Sequence, residues 1–297
     1  MKKNDVASKL NLITELLILK QTLFALPFAY IGVLLAGISP NNTMPGLSVW
    51  ILVTAAMIFA RTAGMSLNRI IDRKIDAENP RTKDRILPSG RLSVGVVWAL
   101  AIVSLFFLVL CSFLLNDLCF YLSPFAALLL FGYSYCKRFT WFSHFVLGIV
   151  EAFAPIGGWF AVTGKFDWRP MILGLLIIFW MAGLDIIYSC QDYIHDKKSG
   201  LYSIPSKFGL YKALLISRVS HFICMLCVIS IGLFNPLSYF FWFGAVLIGL
   251  LFIYEHSLVS PQDLTKVKVA FFKVNSIIAV VLVCFIGLDI VLMKVIL

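Results

Sequence analysis

Nine runs of mostly apolar residues, the first short and the others about the length of a bilayer crossing, limit what this chain can fold into more than any other feature. They lie near Leu23–Ile38, Leu47–Leu67, Val94–Leu115, Leu118–Cys136, Phe142–Val162, Met171–Ser189, Leu214–Phe234, Leu237–Glu255 and Val274–Met293. A helix needs about 20 apolar residues to cross the hydrocarbon layer. Of the 297 residues, 61% are hydrophobic and 13% are charged, against about 45–50% and about 25% in soluble domains. The expectation is an all-α integral membrane protein. Too few residues remain outside the runs for a separate large soluble domain, and the long apolar runs lack the alternation of an outer-membrane barrel. The first run follows a polar stretch with Lys2, Lys3, Lys9 and Lys20, and with no small-residue cleavage pattern after it, it reads as a retained span.

The formal charge of +10 suits nucleic acid or an anionic membrane face, and the hydrophobicity selects the membrane. Lys and Arg also orient the chain, because cytoplasmic loops hold the excess of positive charge. With the N-terminus inside, 20 of the 25 basic residues fall in inner segments and three in outer ones; Arg61 and Arg218 lie within runs. This predicts an N-in, C-out protein whose chemistry faces the cytoplasm. The seven cysteines, several inside apolar runs, read as reduced, lipid-buried thiols. Cys224 and Cys227 read as packing residues, His195 as a weak ligand, and His144, His221 and His256 have no partner that the sequence suggests.

Two inner segments, 68–93 and 190–213, carry the informative charge. The first opens Asn68-Arg-Ile-Ile-Asp72-Arg-Lys-Ile-Asp76, where spacing of four stacks Asn68, Asp72 and Asp76 on one helical face. The second reads Asp185-Ile-Ile-Tyr188-Ser-Cys-Gln191-Asp192-Tyr-Ile-His-Asp196, with Asp192 and Asp196 again at a spacing of four below Tyr188. The two superimpose at an offset of 120 residues, which indicates duplication of a helix-pair unit. Like charges four apart destabilise a helix by a few tenths of a kcal/mol, and carboxylates beside hydrocarbon cost about 2.5 kcal/mol or more each. Carboxylate and amide oxygens are hard ligands suited to Mg²⁺, which bridges one or two carboxylates to substrate phosphates. Two such clusters would hold the ions that clasp a diphosphate.

Basic residues follow each cluster: Arg81, Lys83 and Arg85 after the first, and Lys197, Lys198 and Lys207 after the second, with Lys137 and Arg138 in another inner segment. They are candidates to neutralise phosphate oxygens. Arg61 lies seven residues before Asn68, on its face, and a guanidinium inside a span is a functional candidate that would hold an aromatic carboxylate. Its alternative is snorkelling, or pairing with Glu151.

At these residues the chain resembles the UbiA-type membrane prenyltransferases, near their 4-hydroxybenzoate polyprenyltransferase branch. The likeness rests on the stretch from Arg61 to Asp76, Asn79-Pro-Arg-Thr, Leu87-Pro-Ser-Gly90, Tyr133-Ser-Tyr-Cys-Lys137-Arg138, the stretch from Asp185 to Asp192, and Asp263-Leu-Thr-Lys-Val-Lys. It implies one membrane-embedded domain over 1–297, with nine helices around a central cavity. It implies Mg²⁺ held through Asn68, Asp72 and Asp76 and through Asp192 and Asp196. The activity implied is transfer of a polyprenyl chain from its diphosphate to an aromatic acid in quinone biosynthesis, with Arg61, Arg81, Arg85, Lys137, Arg138, Tyr188, Asp185 and Gln191 binding substrates. Cys190 stands where the family favours a small or polar residue. The expected location is a bacterial inner membrane, and a monomer is compatible with this. The competing readings are a different aromatic acceptor in a menaquinone route, a secondary transporter and a membrane phosphotransferase. A transporter would have helices broken at mid-membrane, and the phosphotransferase motif has glycines between its carboxylates, which the stretch from Asn68 to Asp76 lacks.

Overall fold

The computed structural model describes residues 12, 15, 16, 19–39, 43–235 and 237–296. Lys2, Lys3 and Lys9 lie outside them. The described chain is helical: α1 (Leu19–Ile38), α2 (Leu47–Ile71), α3 (Arg73–Glu78), α4 (Val94–Leu115), α5 (Asp117–Gly132), α6 (Ser143–Thr163), α7 (Pro170–Ser189), α8 (Tyr193–Lys198), α9 (Ile204–Phe234), α10 (Tyr239–Ser257) and α11 (Asn275–Ile296). Short 3₁₀ turns extend α5 over Tyr133–Arg138 and α7 over Cys190–Asp192, and a π-turn over Val269–Val274 leads into α11. Among the described residues, eight helices are long and apolar enough to cross a membrane, and Ala25–Ile38 is a shorter apolar helix. The chain is an integral membrane protein.

The chain divides into two units. In the first, Met1–Leu26 with Leu47–Tyr135, α2 packs along α4 and α5. Gly64 permits the approach to Leu130, and Phe59 stacks on Phe107 at 5.0 Å. Asn116 makes the tight corner between α4 and α5: its N–H ends α4 on the Ser112 carbonyl, and its side chain caps α5 through the Cys119 N–H. Beneath α2, Ile86, Leu87 and Leu92 of the following segment form a small core with Val97. The outward faces of α4 and α5, with Ile102, Phe106, Phe113, Tyr121, Phe125 and Leu128 exposed, are lipid-facing.

The second unit is Pro27–Gly46 with Cys136–Leu297. Here α7 packs between α6 and α9, and α10 packs on α11. Backbones come close at glycines, as expected where small residues set membrane helix contacts. A Cβ at Gly32 would collide with the Pro155 carbonyl, and one at Gly158 with that of Ala29. Trp180 of α7 is buried and meets Phe28 of α1 edge-on at 5.2 Å.

The structure corrects one expected boundary. The seventh span was placed at Leu214, but α9 starts ten residues earlier, at Ile204. Ser203 and Ser206 form a reciprocal capping box there, with Pro205 inside the first turn. The polar first turns of α9, with Ser206, Lys207 and Lys212, and the non-helical Gly209 (φ 79°, ψ 163°) hide that start from a hydropathy average. The segment 190–213 is therefore mostly helix.

Candidate active site

In the first unit, α2 runs to Ile71 and the backbone turns aside at Asp72 (φ −88°, ψ 1°) before α3 resumes. The N–H groups of Asp72 and Asp76 still reach the carbonyls of Asn68 and Asp72, at 2.9 and 2.8 Å, so the fourfold stacking survives the break. Both carboxylates are buried. Asn68 Nδ2 donates to Asp72 Oδ2 at 2.9 Å and to Ser134 Oγ at 3.2 Å. Arg85 Nη1 reaches both oxygens of Asp76, at 2.7 and 2.8 Å. Arg85, expected at a phosphate, offsets the charge of a buried carboxylate. Arg69, buried, stands 3.9 Å from Asp76 and within electrostatic reach of Asp72. The loop that returns Arg85 is built by Asn79, whose carbonyl accepts from the Thr82 and Lys83 N–H groups, and by Thr82, whose hydroxyl donates to the Asp76 carbonyl at 3.0 Å. Arg81 and Lys83 are exposed. Arg61 sits in α2, part-buried.

In the second unit the same local geometry recurs. α7 ends at Ser189, a 3₁₀ turn follows, and the backbone turns aside at Asp192 (φ −95°, ψ 3°) before α8 starts at Tyr193. At an offset of 120, Asp72 matches Asp192 and the six residues of α3 match those of α8. Ser203, the cap of α9, hydrogen-bonds Asp196, and Asp192, Lys137 and His195 act electrostatically on Asp196. The Tyr202 N–H donates to the Lys137 carbonyl at 2.8 Å, which ties the 3₁₀ turn of Lys137 and Arg138 to this corner. Gln191 donates to the Tyr188 carbonyl at 3.2 Å. Tyr188 packs on Phe271 and Phe272 of the π-turn, with ring centroids 4.3 and 6.1 Å away. That turn is held by Asn275, whose Nδ2 donates to the Ala270 carbonyl at 2.9 Å and to Glu255 Oε1 at 2.7 Å. Asp185 bonds His144 at 2.7 Å. The Asp263 carboxyl, in the loop before the π-turn, is held below the usual carboxylate range by hydrogen bonds from the Thr265 hydroxyl and N–H.

Four residues at these corners escaped the sequence reading. Arg69 was legible in principle, since it lies three residues before Asp72 on the same face. Ser134, Ser203 and His144 were not, because their partners are fixed by tertiary packing. Among the described residues, no three His, Cys, Asp or Glu side chains converge as a metal site. A hard divalent ion does not need three: Mg²⁺ keeps its waters and uses one or two carboxylates plus substrate phosphates. Buried Asp oxygens beside an Asn amide are a donor set that fits it.

The chain matches the model of the UbiA prenyltransferase family over residues 25–277. This chain belongs to the UbiA prenyltransferase family. It is an enzyme of prenyltransferase type, and the transporter reading falls. Among its relatives is the 4-hydroxybenzoate octaprenyltransferase of Serratia proteamaculans (strain 568), 31% identical over 280 residues that cover 93% of this chain and 90% of that one. The apo structure of a UbiA homolog from Aeropyrum pernix K1 has a TM-score of 0.79 at 29% identity, covering 92% of this chain and 98% of that one. A UbiA homolog from Archaeoglobus fulgidus, solved bound to DMAPP and Mg²⁺, shares the fold at a TM-score of 0.74 and 21% identity, covering 94% and 99%.

Proposed function

We infer that this UbiA-family member transfers a polyprenyl group from its diphosphate to an aromatic acid, 4-hydroxybenzoate before other acceptors, in ubiquinone or menaquinone synthesis. The observation that carries the reading is the repeated break, at Asp72 and at Asp192, each displaying carboxylates from a helix end. Asn68, Asp72, Asp76, Asp192 and Asp196 are assigned to Mg²⁺, which when bound neutralises diphosphate charge and eases departure of the leaving group. Arg81, Lys137 and Arg138 are assigned to phosphate oxygens. Arg85, which holds Asp76 through Nη1, is also assigned to phosphate oxygens. Tyr188, backed by Phe271, offers an aromatic face to the allylic cation that forms as the C–O bond breaks. Arg61, two turns deeper than Asn68, is assigned to the acceptor's carboxylate, and Asp185 and Gln191 to the acceptor site. We place this chemistry in one nine-span domain, N-in and C-out, in a bacterial inner membrane, with the site open to the cytoplasm. The relative's name and the resemblance near Arg61 support the acceptor.

Purified protein with a polyprenyl diphosphate and 4-hydroxybenzoate is expected to yield prenylated acid and pyrophosphate only when Mg²⁺ is added. Asp72→Ala and Asp192→Ala should each abolish turnover. Arg61→Ala should raise KM for the acid and leave prenyl diphosphate binding intact. Activity that persists in both Asp variants would refute the metal assignment, and equal loss of both substrates in Arg61→Ala would remove the role of Arg61.

A further inference from the structure

His144 of α6 is buried and has both ring nitrogens engaged. The Ile204 N–H, at the start of α9, donates to Nε2 at 3.2 Å. A backbone amide can only donate, so Nε2 presents its lone pair and the ring proton lies on Nδ1. Nδ1 is 2.7 Å from Asp185 Oδ2, to which it donates. One oxygen of Asp185 is thus fixed by an oriented imidazole, while Oδ1 has no hydrogen-bond partner among the described residues.

The setting of that second oxygen is unusual for a span. Residues 180–184, 186 and 187 are all buried, yet the Asp185 side chain is 26% exposed. Met171, Ile178 and Asp185, seven apart and so on one face of α7, are part-exposed, as are Asp192 and Asp196 beyond its end. A carboxylate turned toward acyl chains at this depth would cost about 2.5–3.5 kcal/mol, so Asp185 faces a polar environment. Asp185 lies seven residues, two helical turns, before Asp192 of the second carboxylate cluster.

We propose that Asp185, oriented by His144, is the base that removes the ring proton of the aromatic acceptor. The inference rests on the aromatic prenyl transfer inferred above. The C–O bond breaks and its electron pair leaves with the diphosphate, and the ring carbon then forms its new C–C bond to the allylic cation. The ring then holds one proton too many. Asp185 Oδ1 takes it, the C–H pair restores the aromatic ring, and the neutral acid returns the proton to water. Asp185 is a catalytic residue in this scheme, and His144 a positioning residue.

The test uses full-length protein in detergent, a polyprenyl diphosphate and 4-hydroxybenzoate with deuterium at both positions ortho to the hydroxyl. Wild type that yields no prenylated acid would overturn the function inferred above before any variant is compared. Where wild type turns over, Asp185→Asn is expected to lower kcat about 100-fold or more, the usual loss for a general base. It should leave prenyl diphosphate binding unchanged and bring out a primary isotope effect that wild type lacks, because proton removal becomes the slow step. His144→Gln should lower kcat about tenfold with KM unchanged and with the same isotope effect emerging. Turnover of Asp185→Asn near wild type, a loss of kcat without an isotope effect, or joint loss of turnover and prenyl diphosphate binding would each overturn the proposal.

Discussion

Arg85 and Asp76 show how one contact alters the reading of a residue. From spacing alone Arg85 was a phosphate ligand; in the folded chain its guanidinium lies against both oxygens of a buried carboxylate. Breaking such a pair leaves the charge uncompensated, but Arg69 stays 3.9 Å away, so Arg85→Ala should destabilise the protein by about 1–3 kcal/mol, less than a fully buried pair would. Thermal unfolding in detergent would check this, and Asp76→Asn in the same chain should recover part of the loss. A second ion pair gives a pH signature. Arg169 hydrogen-bonds Asp167 in the loop before α7 and holds its carboxyl below the ordinary range. A depressed carboxylate contributes stability above its unfolded pKa and loses it as pH falls through the lower folded value. The difference in Tm between wild type and Asp167→Asn should therefore be constant from about pH 5 to 8 and shrink below about pH 4. The Asp and Asn ligand candidates were visible as a spacing pattern because they are local. His144 was not, since Asp185 lies 41 residues away and no local period connects them.

At the scale of elements, hydropathy located the spans and missed their ends. The breaks at Asp72 and Asp192 sit in helical patterns that continue past them, so sequence showed one running helix where the backbone turns aside. The start of α9 was lost for a different reason: capping is a matter of single hydrogen bonds, which an average over a span cannot register. Gly209 has a backbone conformation that only glycine adopts readily (φ 79°, ψ 163°). Gly209→Ala should cost about 1–3 kcal/mol and lower Tm. No side chain crowds the site, so that loss would report backbone strain alone. An unchanged Tm would mean that the first turns of α9 re-form without the kink.

For the whole molecule, the class of protein was legible at once, because apolar surplus on this scale has one common use. Charge order predicts an orientation, N-in and C-out, that can be measured. With Cys284, the exposed cysteine, replaced by Ser, Ser199→Cys and Lys165→Cys place single exposed thiols in an inner and an outer segment. A membrane-impermeant thiol reagent should label the first in inside-out vesicles and the second in intact cells; the reverse pattern would invert the topology. The family was readable from motifs spread along the chain. What no composition or motif revealed was the network under the second corner, where Trp180 Nε1 donates to Asn275 Oδ1 at 2.6 Å and Asn275 grips Glu255.

That network holds the π-turn before α11, and a π-turn is an α-helix carrying one residue more than its register needs. Deleting Lys273 or Val274 would restore ordinary helical bonding and swing what precedes the deletion by about 100° about the helix axis. Phe271 and Phe272 would leave Tyr188, while Asn275 kept its hold on Glu255. The aromatic wall beside the second corner thus depends on how many residues the chain has at that point, as much as on which ones they are. Relatives that differ there by a single insertion or deletion would show a different aromatic surface beside this corner without a change in any motif.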